Sequence, residues 1–168
     1  MTKIAETGLL LATSWSINTV LNLFGYCKRK WPQLAKLDQP LDFHRSLGKD
    51  RILGKSTTLL GLLIALISGL ALSKCLNVLG LHSSMLGGTA VYFGHALGSF
   101  IKRRLHIPQG QFAPIIDHAD SVVTLGVLYF ILDIVRVPSI ILAMVLSILL
   151  QPILCYVGYR LHIREHPL

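Results

Sequence analysis

Five stretches of this chain are apolar over about the 20 residues that a helix needs to cross a bilayer. No other feature limits the fold as strongly. They lie at about 6–26, 58–76, 84–101, 119–135 and 138–159. Hydrocarbon offers a backbone no water, so each spanning stretch must pair its own N–H and C=O groups, which a helix does. The expectation is an all-α, polytopic membrane protein with five transmembrane helices, built as one domain over 1–168. Composition agrees. Hydrophobic residues make up 52% of the chain, charged residues 14%, and the mean hydropathy is +0.60. A soluble domain carries about 25% charged residues.

Charge placement sets the expected orientation. The segment 27–57 holds Lys28, Arg29, Lys30, Lys36, Arg45, Lys49, Arg51 and Lys55. The segment 102–118 opens with Lys102, Arg103 and Arg104, and the tail adds Arg160 and Arg164. These three segments fall on one side of an alternating five-span chain and carry 13 of the 16 Lys/Arg. The positive-inside rule puts that side in the cytoplasm, with the N-terminus outside and the C-terminus cytoplasmic. The net charge of +8 is thereby used for membrane orientation, and no nucleic-acid partner is expected. Cys27, Cys75 and Cys155 show neither metal-ligand spacing nor a disulfide framework. The first apolar stretch lacks a basic leader and a small-residue cleavage site, so no removable signal is expected.

Several polar residues stand in or beside the spans. Asp117 and Asp120, three apart, share a helix face at the mouth of the fourth span. Two such carboxylates suit a divalent cation, or else a helix N-terminus. His95 lies within the third span, where an ionisable group is a functional candidate; the alternative is a neutral imidazole bonded to a neighbouring helix. Lys102, Arg103 and Arg104 suit either phosphate or the bilayer rim. Lys55 precedes the second span in a Gly-Lys-Ser-Thr-Thr run, which suits a phosphate or simply a helix start. Asn18 reads as interhelical glue or as part of a site.

Together these residues resemble the CDP-archaeol synthase family, relatives of the CDP-diacylglycerol synthases. The match is strongest at Gly98-Ser99-Phe100-Ile101-Lys102-Arg103-Arg104-Leu105, continuing through Gly110-Gln111, Ala113-Pro114 and Asp117-His118-Ala119-Asp120. A second match is Pro40-Leu41-Asp42, then Arg51-Ile52-Leu53-Gly54 and Gly61, and Asn18 aligns with an Asn of the family's first span. The resemblance implies a CTP-dependent nucleotidyltransferase that activates a lipid phosphate, archaetidic or phosphatidic in type, to a CDP-lipid and releases pyrophosphate. It implies Mg²⁺ or Mn²⁺, held by Asp117, Asp120 and His95. Asp117, Asp120 and Lys102 would be catalytic, and Arg103, Ser99, Arg51, Lys55, Asn18 and Asp42 would bind substrate. CTP, a membrane lipid phosphate and the bilayer are the implied partners, with self-association left open.

The chain departs from the family pattern at five positions. His95 stands where an Asp is usual, and His118 replaces a Gln. Thr57, Leu59 and Leu60 replace a Lys, a Trp and an Arg. These changes subtract charge from a triphosphate site and put imidazole in place of a hard oxygen ligand. The alternative they raise is an altered or inactive member acting as a lipid-phosphate binder or structural membrane partner.

Overall fold

A computed structural model describes residues 1–47, 50–53, 57–76, 80–107 and 113–163. Its described residues form five long helices: α1 (Lys3–Lys30), α3 (Leu59–Leu76), α4 (Leu81–Arg104), α5 (Pro114–Ile131) and α6 (Val137–Arg160). Each coincides with one of the expected spans. Between α1 and α3 lie two smaller elements that hydropathy does not announce. One is the six-residue helix α2 (Pro32–Leu37). The other is a two-residue antiparallel ladder of β1 (Ser46–Leu47) and β2 (Asp50–Arg51), which, with an isolated bridge between Pro40 and Thr58, departs from an all-α description. Lys55, Gly54, Gly110 and Gln111 lie outside the described residues, and of Arg51 the backbone pairing with Ser46 is described.

Local chemistry explains where the helices start and stop. Thr2 caps α1 by accepting the Ala5 N–H at 3.3 Å. Lys28, Arg29 and Lys30 extend α1 beyond its apolar stretch, because cations suit the negative end of a helix dipole. Pro114 opens α5, where its missing N–H costs no helical bond.

Among the described residues, α6 alone is long and apolar enough to meet a strict test for crossing a membrane, and Leu59–Leu72 of α3 is a shorter apolar run. The reason is visible in the other helices, which carry polar residues that turn toward one another. Glu6 of α1 is buried and accepts from Ser139 Oγ at 2.7 Å and from Arg136 N, Nε and Nη2 at 3.1, 3.1 and 2.9 Å. That cluster ties the start of α1 to the start of α6. At the other end, Arg29 Nη2 donates to Ile163 O at 2.6 Å.

The helices α3, α4, α5 and α6 pack in succession, and α1 touches all four. Leu10, Ile17, Ala65, Val91, Val122, Leu125, Tyr129 and Ala143 form the fully buried centre. Many large apolar side chains remain exposed on α6, including Ile141, Leu149 and Ile153. An outward apolar face of this kind is what lipid solvates. The α3–α4 crossing depends on Gly88, where an added Cβ would overlap the Ala65 carbonyl oxygen. Backbones meet this closely only through small residues.

Gly88→Val should therefore lower thermal stability in detergent by about 1–3 kcal/mol through overpacking. Gly8→Ala, with open space around the new methyl, should shift stability by less than about 0.5 kcal/mol. Melting of both variants, followed by circular dichroism, checks the contrast.

Candidate active site

The site lies where the C-terminal turns of α4 meet the first turns of α5. Lys102 Nζ donates to Asp117 Oδ1 at 2.6 Å. The other oxygen of Asp117 reaches back to the Ala113 N–H at 2.9 Å. Asp117 therefore closes the first turn of α5 and also pairs with the Lys102 ammonium. One turn deeper, Asp120 Oδ2 faces His95 Nδ1 at 3.2 Å, and Asp120 Oδ1 accepts the Ser121 N–H at 2.5 Å. Two rungs, each a carboxylate on α5 facing a nitrogen on α4, are thus stacked along the helix pair.

The deeper rung is anchored to α1. His95 Nε2 meets Asn18 Oδ1 at 2.5 Å, Asn18 Nδ2 donates to Ser121 Oγ at 3.2 Å, and Ser121 Oγ meets Ser14 Oγ at 3.0 Å. Asn18, Ser14 and Ser121 are all buried. Buried polar groups need such partners, more so where no water substitutes. Asn18 is thus a positioning residue for His95. Ser14 and Ser121 carry no motif in the sequence; the signal that finds them is the four-residue spacing of Ser14 and Asn18 on one helix face, with Ser121 following Asp120.

Close approach of α4 to α5 is a condition of the site. A Cβ on Gly98 would stand 2.7 Å from Asp120 Oδ2. The glycine of the Gly98-Ser99 pair therefore leaves room for the Asp120 carboxylate.

The remaining candidates are placed as follows. Ser99 lies one turn from His95 and engages no partner among the described residues. Arg103 Nη1 donates to Ile107 O at 2.7 Å, closing the end of α4, while its buried Nε has no hydrogen-bond partner among the described residues. Arg104 lies over the Phe100 ring at 5.3 Å. Asp42 is away from these rungs. Its Oδ1 accepts the His44 N–H at 3.1 Å and its Oδ2 the Leu53 N–H at 3.2 Å, which holds the loop before α3. These bonds make Asp42 a holder of that loop. Thr57 and Thr58, in the altered motif, are buried, and Thr58 exchanges two backbone hydrogen bonds with the Tyr92 hydroxyl. Asp38, which no motif marked, joins Lys28 to the Leu60 N–H.

Among the described residues, no three His, Cys, Asp or Glu side chains come close enough together to hold an ion. His95 bonds Asp120 directly. The two carboxylates, one turn apart, suit a hard cation in the mode where one or two protein carboxylates are completed by substrate phosphate oxygens.

An all-helical membrane protein with carboxylates and cations gathered at one end of its bundle is the class that fold and site define. The chain matches the family model described as "CarS-like: CDP-archaeol synthase" over residues 17–168. It is 32% identical over 137 residues to the CDP-archaeol synthase of Pyrobaculum islandicum, covering 79% of this chain and 84% of that protein. It is also 32% identical over 138 residues to the CDP-archaeol synthase of Sulfolobus acidocaldarius, covering 79% and 85%. A solved structure described as "Structural insight into an intramembrane enzyme for archaeal membrane lipids biosynthesis" shares the fold, with a TM-score of 0.64 at 22% identity over 84% of this chain and 87% of that one. The chain belongs to the CDP-archaeol synthase family, a family of membrane nucleotidyltransferases.

Asn18→Ala would leave both His95 and Ser121 short of a partner. The expected cost is about 1–3 kcal/mol of stability, read as a lower melting temperature in nanodiscs. Asn18→Asp keeps an acceptor for His95 and should lose less.

Proposed function

We propose that this protein transfers the cytidylyl group of CTP to the phosphate of an archaetidic-type membrane lipid, giving a CDP-lipid and pyrophosphate. The observation that carries this reading is the double rung of Lys102–Asp117 and His95–Asp120, in which Lys102, Asp117 and Asp120 belong to the stretch that most resembles the family and His95 departs from it. In this reading the five long helices cross the membrane, the N-terminus lies outside, and the rungs face the cytoplasm. Soluble CTP and a bilayer-bound lipid phosphate then meet at the same rim.

An oxygen of the lipid phosphate attacks the α-phosphorus of CTP. The new P–O bond forms as the bond to the β-phosphate oxygen breaks, and pyrophosphate leaves with that electron pair. The nucleophile is already an anion, so the protein needs no strong base. Its task is to position two polyanions and offset their repulsion. Lys102 is held next to Asp117 at the mouth, where phosphate oxygens can compete for its ammonium group. Ser99, without a partner of its own, offers a hydroxyl one turn from His95. Arg103 carries a guanidinium whose Nε is not committed to a backbone acceptor. Asn18 keeps the His95 ring in place, and His95 in turn orients Asp120. A divalent cation, Mg²⁺ or Mn²⁺, bound by Asp117 and Asp120 together with phosphate oxygens would supply charge neutralisation at the reacting phosphates. Lys55 and Arg51, from the loop before α3, are proposed as further phosphate contacts.

The assay is formation of lipid-linked CMP by purified protein in nanodiscs, using radiolabelled CTP and either ether-linked or acyl glycerol phosphate, with Mg²⁺ or Mn²⁺. Product is expected with at least one metal. Its absence with both, alongside intact CTP binding, would instead support an inactive lipid-phosphate binder. Asp117→Asn should reduce the rate on the order of 100-fold or more, the loss typical for removing one group that stabilises transition-state charge. Full activity in that variant would refute the role given to Asp117.

A further inference from the structure

The segment between α1 and α3 holds a surface that the reaction does not use. Its level in the fold is fixed by Asp38, just beyond α2. Asp38 binds Lys28 Nζ in the last turns of α1 at 2.5 Å and the Leu60 N–H at the start of α3 at 3.3 Å. Leu59 N–H donates to Gln39 O at 2.8 Å and Leu41 N–H to Thr57 O at 3.0 Å. The C-terminal end of α2 is thereby held level with the start of α3, and its N-terminal end follows directly on α1 through the Trp31 N–H bond to Cys27 O.

On this segment three large apolar side chains are open: Trp31 is 53% exposed, Leu37 72% and Phe43 64%. Phe43 and His44 both adopt left-handed backbone, with φ of 47° and 64°. A bulky residue adopts that conformation only under local constraint, and here Asp42 holds the turn through the His44 N–H. A strained turn thus keeps an aromatic ring exposed. Charge along the segment is sorted as well. Within 31–45 the two acids, Asp38 and Asp42, are turned inward, with the Asp38 side chain 2% exposed and Asp42 7% exposed. Lys30, Lys36 and Arg45 are exposed, and none pairs with a carboxylate among the described residues.

We propose that residues 31–45 form a strip that docks on the anionic surface of the bilayer beside the bundle. Trp31, Leu37 and Phe43 enter the interfacial layer, where aromatic rings settle. Lys30, Lys36 and Arg45 meet the phosphates of anionic headgroups. Each such cation strengthens binding to an anionic leaflet by about fivefold. The occupant is lipid, because the strip lies level with the helix ends and presents cations with its acids withdrawn. The inference rests on the membrane placement and not on cytidylyl transfer, so an inactive protein would leave it standing.

The test uses the full chain in nanodiscs. Trp15→Phe leaves Trp31 as the sole indole, since the chain has two tryptophans. In phosphatidylglycerol discs, acrylamide should quench Trp31 several-fold less than in phosphatidylcholine discs, and lipids brominated near the carbonyl should quench it. Changing Lys30, Lys36 and Arg45 together to Gln should remove the difference between the two lipids. Equal acrylamide access in both discs would overturn the proposal and point to a soluble partner surface. Shielding that appears only with two copies per disc would overturn it in favour of self-association. If Trp15→Phe does not fold, amide exchange of the unaltered chain gives the same answer. The amides of 31–45 should exchange several-fold more slowly in phosphatidylglycerol discs, and equal rates would sink the idea.

Discussion

The contact between α4 and α5 governs this structure. It sets two carboxylates of α5 against a lysine and a histidine of α4 at one end of the bundle. A lone charge in or near hydrocarbon is costly, and a paired, hydrogen-bonded one much less so. The pairing therefore explains how an apolar chain can keep acids so close to its spans. In the proposed reaction the same contact gathers the groups that would face the phosphates. The glycine at position 98, which leaves space for Asp120, the caps on α5, and the Asn18–Ser121–Ser14 bridge all support this one contact.

Much of the fold was legible because lipid asks one question of a sequence: whether a stretch is apolar over a helix length. The five long helices answer it, and their ends differ from the apolar stretches for local reasons. The fourth stretch was expected from position 119, but α5 starts at Pro114, since proline favours a first turn and Asp117 supplies the cap. The first ran on to Lys30 because basic residues suit a helix C-terminus. The small helix α2 and the β1–β2 ladder escaped notice because neither has hydrophobic periodicity. Backbone bonding to Asp38 and Asp42 places the segment instead.

The site was legible where a motif is continuous and obscure where it is spatial. Lys102 and Asp117 were visible as parts of one pattern. The link from His95 to Asp120 spans 25 positions, and that from His95 to Asn18 spans 77, so only packing brings these side chains together. The same packing bears on the reading of His95. The residue alone read as a functional candidate or a neutral imidazole bonded to a neighbouring helix, and the structure shows it bonded to Asp120 and Asn18. At position 95, where the resemblance leads one to expect a carboxylate, this chain has an imidazole that bonds one of the two α5 carboxylates.

The central claim is that the Lys102–Asp117 pair serves chemistry as well as packing. Its most direct test is lipid-linked CMP formation by the double variant Lys102→Asp with Asp117→Lys. The swap keeps an ion pair across the same helices but reverses which helix carries the cation. Transfer should be lost while the protein still inserts and melts near the unaltered chain. Transfer at the normal rate by a folded swapped protein would show that the pair only holds the helices together, and would contradict the account.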